Sequence, residues 1–172
     1  KQIIACGAEQ KASFCLSRGN YIFPSQHIGD LKNLETYDNY AQQIRHFRRM
    51  FDISPEALVC DMHPDYMSSE YASEQAEFEG IKLIKVQHHH AHMASCMADN
   101  GLDGEVIGIV WDGVGLGTDG TAWGGEFLTA NYAEVNIDPA FEMPAADGNI
   151  KVAAGKYDIV LTIDADADEK TI

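Results

Sequence analysis

The chain has 172 residues and is 45% hydrophobic, enough for one ordinary domain with a core of normal proportion. Lys and Arg total 12 against 27 Asp and Glu, a formal charge of −15, which excludes binding modes that work chiefly by neutralising phosphates, so nucleic acid is not an expected partner. No apolar run approaches the roughly 18 to 20 residues of a membrane span, and the cysteines Cys6, Cys15, Cys60 and Cys96 lack CxxC spacing; no membrane partner is expected, and the thiols read as small buried hydrophobes of a reducing, cytoplasmic compartment.

The opening predicts three short strands over residues 3–6, 13–17 and 21–24, separated by Gly7-Ala8-Glu9-Gln10-Lys11 and Arg18-Gly19-Asn20. From 35 to 51 the residues Tyr37, Tyr40, Ala41, Ile44, Phe47 and Phe51 recur three or four apart, the apolar face of a helix. Arg45, Arg48 and Arg49 on that helix read as a solvated face. A turn at Ser54-Pro55-Glu56 leads into a short apolar run, 57–60, which predicts a buried parallel strand ending at Asp61. A helix from Ser68 or Ser69 to Phe78, closed by Gly80, follows, then a strand over 81–86 and a helix that opens in a histidine cluster and is closed by Asn100-Gly101.

Next come a strand over 106–111, a glycine-rich loop from Asp112 to Gly120, and a strand over 126–129. Three meandering strands followed by alternating helices and strands indicate a mixed α/β sheet. Beyond Tyr132 the composition shifts, and 149–153 with 156–163 alternate polar and apolar residues, predicting a β-hairpin that turns at Ala154-Gly155. Asp158, Asp164, Asp166, Asp168 and Glu169 near the end read as another solvated run.

Chemistry concentrates in Gln87-His88-His89-His90-Ala91-His92. On a helix, His88 and His92 are four apart and share a face, the spacing that presents two imidazoles to one metal ion, while His89 and His90 are expected to point elsewhere. Asp112, at the end of the next strand, is the natural third ligand, because strand ends and helix starts meet at one edge of such a sheet. Two histidines and one carboxylate suit zinc or iron equally. A polar helix start, or a fortuitous metal binder without function, would leave the same pattern.

The run DGVGLGTDG brings backbone close to a ligand at Gly113, Gly115, Gly117 and Gly120, where main-chain N–H groups can face phosphate oxygens, and Asp112 and Asp119 suit a divalent cation such as magnesium on that phosphate. It resembles neither a Walker loop nor a dinucleotide fingerprint. The first turn, with Lys11 and Ser13, offers a second phosphate face or is an ordinary surface hairpin.

The segments GAEQKASFCL, SQHIGDLKNLETY, VCDMHPDY, VQHHHAHMASCMADNGLDG and DGVGLGTDGTAWGGEFL, in this order over residues 3–132, resemble the carbamoyltransferase HypF family of hydrogenase maturation. The resemblance implies the fold shared by tRNA threonylcarbamoyl transferases, actin, sugar kinases and Hsp70 chaperones. It further implies an ATP-derived carbamoyl adenylate, made from carbamoyl phosphate and held in an interlobe cleft. The carbamoyl group then passes to the C-terminal cysteine of a partner protein. By motif position His88, His92 and Asp112 would ligate the metal, and Gly113 to Gly120 would face the nucleotide.

The expected organisation is a first actin-like lobe over 1–104, the start of a second lobe over 105–132, and an atypical β tail over 133–172. Complete family members carry acylphosphatase, zinc-finger and adenylate-forming domains before this region and a full second lobe after it. The chain is therefore expected to be an excised or processed piece, inactive by itself. The tail has a likeness to extracytoplasmic starch-binding proteins, which leaves open a non-enzymatic binding module or a chimaera in which the tail sets the function.

Overall fold

The computed structural model describes residues 1–130 and 158–163, arranged in two compact units, Lys1–Val86 and Gln87–Ile172. The first unit runs β1 (Gln2–Cys6), β2 (Phe14–Arg18), β3 (Tyr21–Pro24), α1 (Leu34–Met50), β4 (Ala57–Asp61), α2 (Met67–Glu79) and β5 (Lys82–Val86). Its sheet has the order β3-β2-β1-β4-β5; β1 to β3 form an antiparallel meander, whereas β1, β4 and β5 are parallel neighbours. This is the mixed sheet expected from the sequence.

Helix α1 forms where the apolar periodicity predicts it, and the face it buries is Tyr40, Ala41 and Ile44. These pack with Ile4, Phe14, Leu16 and Leu58 of the sheet and with Ala72 and Ala76 of α2. Each fully buried Ile or Leu contributes about 1.5–3 kcal/mol. Phe14 meets Tyr40 and Phe47 edge to face, at 5.7 and 5.1 Å between ring centres, the geometry aromatic quadrupoles prefer.

Polar groups at the helix ends are satisfied by specific partners. Asn33 caps α1 by accepting from the Thr36 N–H at 3.1 Å. Helix α2 has no side-chain cap of its own, and the buried carboxylate of Glu9 accepts from Met67 N at 2.7 Å, placing negative charge at the positive end of the helix. Arg48 departs from the expected solvated face: its guanidinium forks onto both carboxylate oxygens of Glu79, at 2.5 and 3.0 Å. The four cysteines are free, with Cys6 and Cys60 buried and Cys15 and Cys96 half-buried. Burial pushes the Cys6 thiol up to about 12.

The second unit is α3 (His88–Asp99) against a three-stranded sheet of order β7-β6-β8, where β6 is Val106–Leu116, β7 Ala122–Ala130 and β8 Asp158–Ile163. Met93 and Met97 of α3 pack on Val106, Val110 and Leu128. Gly108 permits this close approach, because a Cβ there would run into the Met93 thioether.

Two expectations change here. The run starting at Asp112 is strand as far as Leu116, and β7 begins at Ala122, four residues ahead of the expected 126. Glycines supply no buried side chain by which to recognise a strand, while ladder pairing needs only the backbone. Of the expected tail hairpin, residues 149–157 lie outside the described residues. Within 158–163 the chain forms β8, parallel to β6 from Val106↔Asp158 to Trp111↔Ile163. Among the described residues no helix is long and apolar enough to cross a membrane.

Candidate metal centre

Helix α3 opens at Gln87, whose side-chain oxygen accepts from His90 N at 2.8 Å and so fills one of the open donors of the first turn. This cap sets the first turn so that His88 and His92 project on one face over β6. Beneath them the β6–β7 register is irregular between Trp111 and Gly115, and the irregular stretch begins at Asp112. Such irregularities re-aim a side chain.

Among the described residues, one group of ligand atoms converges as a metal site requires. His88, His92 and Asp112 each offer an atom within 4.8 Å of the others. Asp112 Oδ2 lies 2.8 Å from His88 Nε2 and 3.7 Å from His92 Nε2. It is buried and has no hydrogen-bond partner of good geometry. A buried carboxylate oxygen facing two imidazole nitrogens without a bonded proton is what a cation with bonds of about 2.0–2.2 Å would satisfy after a small opening of the set.

The electrostatics agree. Burial by itself would raise the Asp112 carboxyl, but the neighbouring imidazoles of His88 and His92 and the Gly113 N–H hold it far below the usual carboxylate range, so it stays ionised and ready to ligate.

Expectation and structure part company over His89. It does not point away: it is fully buried, its Nδ1 is 3.1 Å from Glu126 Oε2, and its Nε2 is 3.9 Å from Asp112 Oδ2. Glu126 also accepts from Gln87 Nε2 at 3.2 Å. The signal in the sequence was a third histidine one position from His88, but its acidic partner lies on another strand. His90 is half-buried, and burial lowers its pKa.

The glycine run divides. Asp112 to Leu116 belong to β6, and the turn proper is closed by Gly117 N to Thr121 O at 2.8 Å and Gly120 N to Gly117 O at 3.0 Å, with Gly120 at φ +80°. Asp119 Oδ1 accepts from Thr121 N and Thr121 Oγ1 at 2.9 and 2.8 Å, and these bonds lower its pKa. Gly113 N donates to its own residue's neighbour, Asp112 Oδ1, at 2.6 Å. Three of the N–H groups expected to face phosphate, those of Gly113, Gly117 and Gly120, therefore have internal acceptors. Gly115 is packed against His89: a Cβ there would sit 2.7 Å from His89 Nε2.

Lys11 and Ser13 are exposed on the β1–β2 turn of the first unit. Gly7 closes that turn with its N–H on Ser13 O at 2.9 Å, and a Cβ there would lie 2.5 Å from the same oxygen.

Residues 1–99 match the family model of the HypF Kae1-like domain, and residues 108–153 match the second subdomain of the carbamoyltransferase Kae1-like domain. Carbamoyltransferase HypF of Synechocystis is 43% identical over 129 residues, 74% of this chain and 16% of that protein. Carbamoyltransferase HypF2 of Cupriavidus necator is 44% identical over 126 residues, 73% of this chain and 16% of that protein. A crystal structure of full-length HypF in the phosphate- and nucleotide-bound form superposes with a TM-score of 0.71 at 45% identity, covering 76% of this chain and 17% of that one. The chain thus spans about one sixth of the length of the curated relatives it matches.

Proposed function

Because this chain belongs to the HypF family of carbamoyltransferases, we propose that it supplies the metal-binding wall of a carbamoyl-transfer centre that serves nickel–iron hydrogenase maturation. The observation that carries the reading is the convergence of His88, His92 and Asp112 on one point. Zinc or ferrous iron held by these three would supply Lewis acidity at a substrate oxygen. The donor set fits: two imidazoles and one carboxylate kept ionised.

In the reaction proposed, a thiolate at the C-terminus of a partner protein attacks the carbonyl carbon of carbamoyl adenylate. A C–S bond forms, the bond from that carbon to the phosphate oxygen breaks, and AMP leaves with the electron pair. Positioning and exclusion of water dominate such a transfer. The nucleotide part is supported by family membership and by the exposed turn residues 118–121, with magnesium as the cation on the phosphates. A relative was solved with phosphate and nucleotide bound. With the Gly113, Gly117 and Gly120 amides held internally, a phosphate near β6 would be met by other amides or by side chains such as Thr118, and Lys11 and Ser13 remain proposed contacts on the first unit.

Metal analysis and calorimetry test the centre. The parent chain should bind about one zinc or ferrous ion, and a His88→Ala, His92→Ala double variant should bind about a thousand-fold more weakly, about 4 kcal/mol. Equal metal content in parent and variant refutes the assignment. The transfer itself is read as labelled carbamoyl on the partner's terminal cysteine when the chain is combined with the remaining HypF polypeptides. The double variant should abolish that label.

A further inference from the structure

His89 is absent from the ligand set and is expected from the helical spacing to point elsewhere, yet it is the most completely buried histidine at the centre. Its Nδ1 lies 3.1 Å from Glu126 Oε2. A carboxylate oxygen cannot donate, so Nδ1 carries the hydrogen, and in the neutral ring Nε2 is then an acceptor. That Nε2 has no partner, is fully enclosed, and lies 3.9 Å from Asp112 Oδ2. Gly115 is part of the enclosure, since a methyl group at that position would come within 2.7 Å of the same nitrogen.

Buried acceptors without a donor are rare, and each calls for an absent polar group. His89 Nε2 does not join the 4.8 Å set formed by His88, His92 and Asp112, so it stands one layer behind the ligands. At 3.9 Å from Asp112 Oδ2, it is close enough for one O–H-bearing group to reach both atoms.

Resting on the metal-centre reading, we propose that His89 is a positioning residue: its Nε2 accepts a hydrogen bond from an O–H group seated at the metal centre, water in the resting chain. Glu126 fixes the tautomer that makes this possible. Gln87 adds a second role to its helix cap, because its amide nitrogen, 3.2 Å from Glu126 Oε2, holds the carboxylate in place. The ligand face and the acceptor behind it are thereby tied to the first turn of one helix.

Three measurements on the full 172-residue chain test this. In a two-bond proton–nitrogen spectrum of ¹⁵N-histidine-labelled protein, His89 should show a protonated Nδ1 and a bare Nε2; a proton on Nε2 overturns the proposal without any variant. With cobalt(II) as the probe, His89→Phe should still bind one ion but about ten-fold more weakly, with an altered visible band, as expected on losing an outer hydrogen bond. His89→Gln, which can return an acceptor oxygen, should recover part of the affinity.

Loss of binding to the level of the His88→Ala, His92→Ala variant, in a His89→Phe protein that retains parental circular dichroism, would make His89 a direct ligand and overturn the positioning role. Identical affinity and spectrum in parent and His89→Phe overturn it too. A parent that binds no cobalt fails the metal-centre reading first and this inference with it, which separates the two failures.

Discussion

The two units treat buried polarity differently. In the first, α1 and α2 cover the sheet with Tyr40, Ile44, Tyr71 and Ala72, and the polar groups that must be buried do structural work: Glu9 receives the first N–H of α2. In the second, the apolar side of α3 is Met93 and Met97 with Cys96 beside them, and its first turn sets His88 and His89 against Asp112 and Glu126. Buried atoms without partners occur in both. In the first unit they belong to separate elements, at Glu9 Oε1, Tyr40 Oη and Ser68 Oγ, whereas in the second Asp112 Oδ2 and His89 Nε2 are 3.9 Å apart. A single orphan atom is a local cost of packing; two that face one another describe a place for something else.

The largest effect on folding should come from the apolar core of the first unit. Leu58→Ala, at a position 1% exposed, should cost about 2–5 kcal/mol in urea unfolding. If the metal-centre variants destabilise the metal-free chain as much as this, the division between a core that holds and a centre that binds is wrong.

A sharper test is Gly115→Ala. The added methyl has to displace His89, so stability should fall by about 1–3 kcal/mol, and zinc affinity should fall with it. The methyl of Gly108→Ala meets the flexible Met93 side chain instead, so that variant should lose stability without losing zinc affinity. Equal loss of affinity in both would remove the special standing of the His89 pocket.

Smaller again is removal of the α1 cap: Asn33→Ala should cost about 1 kcal/mol and leave metal binding untouched.

The pH responses also divide. Cys6 belongs to the first unit, and its folded value is pushed up to about 12 from the ordinary 9.0 by burial. A raised folded value means the native thiol keeps its proton while the unfolded one loses it. Its contribution is constant below pH 9 and declines as pH rises from 9 toward 12, and Cys6→Ala should flatten that part of the stability profile. Metal binding runs the other way and weakens in acid, because protons compete with the ion for the imidazole nitrogens. Asp112, held far below the usual range, should add nothing to that acid limb.

The order of elements in the first unit and the convergence of His88, His92 and Asp112 were legible from the chain alone, for a common reason. The helix over 35–51 repeats its apolar residues every three or four positions, and the same geometry puts residues 88 and 92 on one face. Local periodicity is a property of the backbone and survives without tertiary context. The continuation of β6 through Asp112 to Leu116 was not legible, because glycines carry no burial pattern and this stretch is held by β7, at Gly115↔Trp123 and Leu116↔Ala122. The direction of His89 was hidden as well. A residue one position from His88 turns by about 100° on a helix, and only the packing of α3 on β6, with Gly115 beneath and Glu126 on the neighbouring strand, brings its ring back toward Asp112. Which side chains share a helical face is decided within one turn of chain, whereas which acid meets a buried imidazole depends on strand pairing between residues 37 apart in sequence.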